Sequence, residues 1–195
     1  MTKKIKIIAL IGKAGAGKDF WLRKICDNDE SVHEIISCTT RPPRVNEING
    51  INYHFLTEEQ FQNEAFVECC CFNNWYYGTR YFDLDEDKIN IGVFNLNGVE
   101  NLLKSSDIDL SVIYFTAEDK VRLIRQLKRD ASDIEEIFRR YSTDKEDFKV
   151  IRLNRIENLL PNNYWVIDNS INDSYDNNYF ILQEIDEIIK KVKNK

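Results

Sequence analysis

The chain has 195 residues, 43% of them hydrophobic and 31% charged, with a formal net charge of −6. That size and apolar content suit one domain with a substantial core. The acidic balance argues against general electrostatic attraction to DNA or RNA and leaves room for local basic pockets that take small phosphorylated ligands. No segment approaches the roughly 18 apolar residues needed to span a bilayer. The short apolar run after Met1-Thr2-Lys3-Lys4 lacks the length and cleavage site of a secretory signal, so a cytoplasmic location is expected.

The first predicted element is a buried strand over Ile5–Ile11, followed at once by Gly12-Lys13-Ala14-Gly15-Ala16-Gly17-Lys18. In a G-x-x-x-x-G-K loop, backbone N–H groups converge on phosphate oxygens because no side chains block them, and the next helix adds its N-terminal dipole. An amphipathic segment with Phe20, Trp21, Leu22 and Ile25 supplies that helix. Lys18 is then placed to contact the β- and γ-phosphates. Asp19 stands where the pattern has a Ser or Thr that reaches Mg²⁺. Two readings are open for it: a carboxylate ligand of Mg²⁺, direct or through water, or a charge that favours the helix start.

Further apolar runs at Ile35–Ile36, Ile91–Leu96, Leu110–Phe115 and Tyr164–Ile167 read as strands separated by helical patterns, which predicts an α/β fold with a largely parallel sheet. After the second run, Ser37-Cys38-Thr39-Thr40-Arg41-Pro42-Pro43-Arg44 sets two guanidinium groups three residues apart in a proline-stiffened loop, a pair able to grip one phosphate. Between Asn52 and Tyr77 the pattern changes to short, aromatic-rich β-like pieces around a helical stretch at Glu58–Glu64, read as an inserted subdomain. Cys69, Cys70 and Cys71 are expected to be small buried strand residues, and the five cysteines as a set, with no C-x-x-C pair, suit a reduced protein better than a metal site. His33 and His54, the only histidines, lack metal-ligand spacing. The stretch from Lys120 to Asn158 is charged and helical, and Ile181, Leu182, Ile185, Ile188, Ile189 and Val192 give an amphipathic terminal helix.

The run from Ser37 to Phe55, SCTTRPPRVNEINGINYHF, resembles the acceptor-binding region of guanylate kinases, S-x-T-T-R-x-P-R-x-x-E-x-x-G-x-x-Y-x-F, at every fixed position. Phe66-Val67-Glu68, Asn74-Trp75-Tyr76-Tyr77-Gly78-Thr79 and Val166-Ile167-Asp168-Asn169 are similar to further family segments. The resemblance therefore extends over most of the chain. It implies a P-loop NTPase-type sheet flanked by helices (core 1–36, 80–124 and 150–195), with a small β-rich monophosphate-binding subdomain at about 37–79 and a helical lid at about 125–149, all within a single domain 1–195.

By the same resemblance, Arg41, Arg44, Tyr53 and Tyr77 hold the phosphate of a GMP or dGMP acceptor, and Ser37, Glu68 and Thr79 read its base, with Asn95 nearby. Glu68 would accept from guanine N1–H and the N2 amino group; adenine has no N1 proton, so an ionised Glu68 would lose a buried hydrogen bond at a cost of about 1–3 kcal/mol. The loop from Gly12 to Asp19 together with Asn169 would hold ATP. Arg125, Arg129 and Arg140 would close over the triphosphate and, with Lys18 and Arg41, stabilise charge on the transferring phosphoryl group. The implied partners are the small nucleotides ATP and GMP or dGMP, with Mg²⁺, acting on a monomer or homodimer without nucleic acid or membrane.

The chain departs from the family at Val93-Phe94-Asn95-Leu96-Asn97-Gly98, where the family has D-x-D-x-Q-G: both acidic positions are neutral. The connection from Thr79 to this strand is also shorter. These departures keep two alternatives open, a kinase for another nucleoside monophosphate and a catalytically impaired nucleotide- or protein-binding module.

Overall fold

A computed structural model describes residues 3–44, 47–129, 133–170 and 175–195. Five strands form one sheet in the order β2-β7-β1-β8-β9: β1 Ile5–Ile11, β2 Val32–Glu34, β7 Ile89–Val93, β8 Ile108–Thr116 and β9 Tyr164–Asp168. β2 runs parallel to β7, and β8 parallel to β9. A second sheet, in the order β4-β3-β6-β5, joins β3 Cys38–Thr39, β4 His54–Phe55, β5 Phe66–Phe72 and β6 Trp75–Arg80. Seven helices accompany the strands among the described residues: α1 Lys18–Asn28, α2 Glu58–Gln62, α3 Leu96–Leu102, α4 Asp119–Arg129, α5 Ile134–Asp147, α6 Val150–Leu159 and α7 Tyr175–Lys193. No helix among the described residues is long and apolar enough to cross a membrane.

The chain divides into two compact units. The first takes Met1–Ala9 with Glu30–Leu110, and its core is built from Ile7, Ile8, Ile89, Ile91, Val99 and Leu102. Within it, β5 and β6 form a hairpin whose two-residue turn, Asn73-Asn74, takes positive φ at both positions (51° and 63°), as the twist of a tight hairpin demands. Thr57 and Gln60 close α2 with reciprocal side-chain caps. The second unit takes Leu10–Asp29 with Ser111–Lys195. Its core joins Trp21 and Ile25 of α1, Val112, Ile113 and Phe115 of β8, and Ile181, Ile185, Ile188 and Val192 of α7, the last four at helical spacing.

Three expectations need correction. The predicted strand at Ile35–Ile36 lies earlier, at Val32–Glu34: Ile35 still donates its amide to Ile91 O at 2.8 Å, but the chain must leave this sheet within three residues to start β3. The predicted strand Ile91–Leu96 stops at Val93, and Leu96 opens α3, because Asn95 caps that helix through Gly98 N–H at 2.8 Å. A short apolar run does not distinguish a strand end from a buried helix start. Finally, β5 is the edge of its sheet, and its alternation exposes Cys69 and Cys71 while Cys70 is only half-buried, so the expected burial of this trio fails.

Candidate active site

The phosphate loop lies in the second unit, between the end of β1 and the start of α1. Gly17, with φ at 97°, is the N-cap of α1 and takes a left-handed conformation that a Cβ would strain. Gly15, at φ 79°, passes so close to α4 that a Cβ would lie 2.6 Å from Arg122 O. Lys18 Nζ donates to Gly12 O at 2.6 Å and Lys13 O at 3.2 Å, closing the loop on its own lysine. Burial lowers the pKa of this ammonium below the usual lysine range, against the nearby charges of Asp19 and Asp144. Asn169 is buried at the end of β9 and donates Nδ2 to Ala16 O at 2.8 Å. The fold thus gathers residues 12–18 and Asn169 at one point.

Asp19 is exposed in the first turn of α1, where its charge favours the helix start. Among the described residues, no group of three His, Cys, Asp or Glu side chains could hold a metal ion. An exposed carboxylate beside the phosphate loop is the kind of oxygen donor that Mg²⁺ takes.

Four residues that the sequence reading did not single out shape the charge around the predicted ones. Ala14 N–H donates to Asp144 Oδ2 at 2.8 Å. Arg122, only 1% exposed, donates to Ala14 O at 3.0 Å, Asp119 Oδ1 at 2.6 Å and Asp144 Oδ2 at 2.8 Å. Glu136 accepts from Arg140 Nε at 2.7 Å and from both Arg139 Nε and Nη2, and these bonds, Arg139 first, pull its pKa to about 2. Arg125 Nη1 is buried without a hydrogen-bond partner, and Arg129 is exposed near the end of α4, where its charge bears on Lys18. No local signal separates Arg122, Glu136 or Asp144 from a solvated helix face.

The fourth is Glu47, in the first unit, a fixed position of the acceptor pattern to which no role was given. Its carboxylate accepts from Arg41 Nη2 at 3.0 Å and 2.9 Å, takes the Arg44 amide at 2.7 Å and pairs with the Arg44 guanidinium at 3.8 Å. The Arg41 guanidinium lies 5.4 Å from the Tyr53 ring centroid, and Tyr53 meets Tyr77 edge to face at 6.1 Å. Arg41, Arg44, Tyr53 and Tyr77 therefore come together, with Glu47 as the counter-charge.

Beside them, the β5–β6 register sets Glu68 opposite Thr79, and Thr79 Oγ1 donates to Glu68 Oε1 at 2.9 Å. Glu68 is 6% exposed, and its Oε2 has no hydrogen-bond partner. Burial raises its carboxyl pKa to about 7, with the Thr79 bonds opposing the shift. Gly98 leaves the room Oε2 occupies, since a Cβ there would lie 3.0 Å from it. Ser37 is half-buried and gives its carbonyl to His54 N–H at 2.9 Å. Asn95 is engaged in capping α3, and its carboxamide also meets Cys70 Sγ at 3.2 Å and 3.4 Å.

A glycine-rich loop joining strand to helix around an enclosed lysine, on a mostly parallel sheet flanked by helices, defines a P-loop α/β fold. A family model described as guanylate kinase matches residues 4–185, and the chain belongs to the guanylate kinase family of nucleoside monophosphate kinases. Curated relatives include guanylate kinases from Campylobacter jejuni (strain RM1221), 28% identical over 87% of this chain and 84% of the relative, and from Prochlorococcus marinus (strain MIT 9312), 31% identical over 72% and 80%. The crystal structure of guanylate kinase from Anaplasma phagocytophilum superposes with a TM-score of 0.55 at 17% identity, over 94% of this chain and 85% of that one, which supports the shared fold.

Proposed function

We propose that the chain transfers the γ-phosphoryl group of ATP to GMP or dGMP, giving ADP and the nucleoside diphosphate. The observation that carries the choice of acceptor is Glu68 Oε2, a buried carboxylate oxygen without a partner. A buried acceptor atom left unpaired costs stability unless a ligand donor reaches it. Guanine supplies two adjacent N–H donors, at N1 and N2, while Thr79 fixes the other carboxylate oxygen. Base recognition therefore requires ionised Glu68, and acceptor binding expels its proton wherever the carboxyl starts protonated.

Arg41 and Arg44 bind the acceptor phosphate, with Tyr53 and Tyr77 as phenolic donors, and Glu47 pre-orients the Arg41 fork. Ser37 and Asn95 border the acceptor. In the donor half, residues 12–19 receive the ATP phosphates, Lys18 bridges the β- and γ-phosphates, and Asn169 braces the loop beside the donor nucleotide. Arg125, Arg129 and Arg140 stabilise charge on the transferring oxygens and exclude water that would compete as acceptor. Mg²⁺, held by the donor phosphates and water with Asp19 as the protein carboxylate, would screen the phosphate charge. The acceptor segment about 37–79 and the lid about 125–149 belong to one kinase domain in this reading.

A second acceptor is favoured by one observation: Asn95, where the family has an acid, is committed to capping α3 and to Cys70. A coupled ADP-release assay with GMP, dGMP, dAMP, dTMP and dCMP tests both readings. Turnover with GMP or dGMP well above the rest is expected. Preference for a base lacking the guanine N1–H and amino group would overturn the role given to Glu68, and ADP release with no monophosphate would overturn the kinase reading.

A further inference from the structure

The burial of α4 is inverted: Arg122 and Gln126 are its buried residues, each 1% exposed, while Ile124 and Leu127 are 42% and 43% exposed. Both buried side chains reach the phosphate loop, Arg122 Nε at 3.0 Å and Gln126 Nε2 at 3.4 Å from Ala14 O. The Ala14 amide is taken from the other side by Asp144 Oδ2, near the end of α5. An N–H of a glycine-rich loop thus meets an anion supplied by the protein itself, with the charge and hydrogen-bonding chemistry of a phosphate oxygen.

We propose that Asp144 is an internal ligand of the phosphate loop that competes with the donor polyphosphate for the Ala14 amide and so sets how tightly the donor binds. The proposal rests on the phosphate-loop reading above and is independent of the acceptor. A polyphosphate and an ionised carboxylate cannot share this amide, because like charges at hydrogen-bonding distance repel strongly where water is scarce. Either Asp144 leaves or it takes a proton, and burial has already raised its pKa above the ordinary carboxylate range.

The surroundings allow it to leave. Without Asp144, Arg122 keeps Asp119 Oδ1 at 2.6 Å and Ala14 O at 3.0 Å, so no buried guanidinium is orphaned. Asp119 is itself anchored by Tyr141 O–H at 2.7 Å, and the Tyr141 ring lies 5.7 Å from the Arg122 guanidinium. Gly15 packs against the α4 backbone at Arg122, which ties that helix to the loop independently of Asp144. Asp144 is the anion of this network that lies on the Ala14 amide, where a phosphate oxygen can take its place. Because a competing internal ligand lowers apparent affinity by the fraction of loops it occupies, the donor binds more weakly than the loop alone would allow.

Calorimetric titration of the full chain with inorganic tripolyphosphate, in parallel with ATP and without acceptor, tests this. Asp144→Asn keeps the size and removes the competing charge. It should bind tripolyphosphate about tenfold more tightly than the parent chain, the equivalent of one charge-assisted hydrogen bond. Equal or weaker binding by a variant with an unchanged thermal midpoint overturns the proposal, since a merely structural Asp144 predicts weakening. Should Asp144→Asn fail to fold, NMR of the unsubstituted chain decides: the Ala14 amide and the Asp144 side-chain carboxyl signals should shift together as tripolyphosphate is added. An Asp144 signal that does not move at saturation overturns the proposal. No tripolyphosphate or ATP binding by either protein overturns the phosphate-loop reading itself.

Discussion

Thr79 donates its hydroxyl to one oxygen of Glu68 at 2.9 Å across the β5–β6 ladder, and the other oxygen of that carboxylate is buried with no partner. In the proposed acceptor role, the oxygen held by Thr79 orients the carboxylate and the other oxygen is left for a ligand donor. Burial makes the ionised form costly, and this pushes the carboxyl from 4.5 up to about 7.

That shift has a definite sign in stability. The folded chain holds the Glu68 proton after the unfolded chain has released it, so the stabilising contribution is fully present below pH 4.5 and is lost as pH rises to about 7. Measured without nucleotide, the loss from this one group should be on the order of 3 kcal/mol at most. Urea unfolding from pH 4.5 to 8 should show a falling profile that Glu68→Gln flattens. Profiles of equal slope in the two proteins would count against the assignment.

Arg41 gives Nη2 to both oxygens of Glu47, at 3.0 Å and 2.9 Å, while its Nη1 donates to Pro42 O at 2.7 Å. Arg41→Lys keeps the charge and removes the planar fork. The KM for the monophosphate should rise at least about tenfold while the KM for ATP holds, matching the loss of one charge-assisted hydrogen bond. A parallel rise in both KM values would point to a general loss of folding instead.

Asn95 caps α3 through Gly98 N–H at 2.8 Å. Asn95→Ala should cost about 1 kcal/mol, read as a fall of about 2–4 °C in the thermal midpoint. Asn95→Asp, an equally good cap, should keep the midpoint. If Asn95→Ala melts with the parent chain, the cap is not a stabilising element.

Gly17 takes φ at 97°, and a Cβ there would lie 2.3 Å from Asn169 Nδ2. Gly17→Ala should lose about 1–2 kcal/mol from left-handed strain alone and displace the Asn169 amide from Ala16 O. Both the thermal midpoint and ATP affinity should fall together. Calorimetry showing undiminished ATP binding would mean the loop tolerates the displacement.

Much of this architecture was legible along the chain. Gly12 to Lys18, the strand before it and the arginine loop after Ser37 are local patterns whose spacing directly encodes a turn, a strand or a pair of charges. The isoleucines of α7 gave their face away by helical period. Asn95 reads as a strand residue because Phe94 and Leu96 are as apolar as strand residues, and only the Gly98 hydrogen bond shows where the helix begins.

What tertiary structure alone decided is the choice of partners far apart in sequence. Ala14 and Asp144 meet across 130 residues, and Ala14 and Arg122 across 108. On its own helix each of these charged residues is indistinguishable from a solvated one, since a charge pattern carries no label for a distant amide. Packing α4 against the loop buries Arg122, and burial then requires a counter-charge, which Asp119 and Asp144 supply. The local chain specified a phosphate cradle; the folded chain determined which of its own anions lies against it.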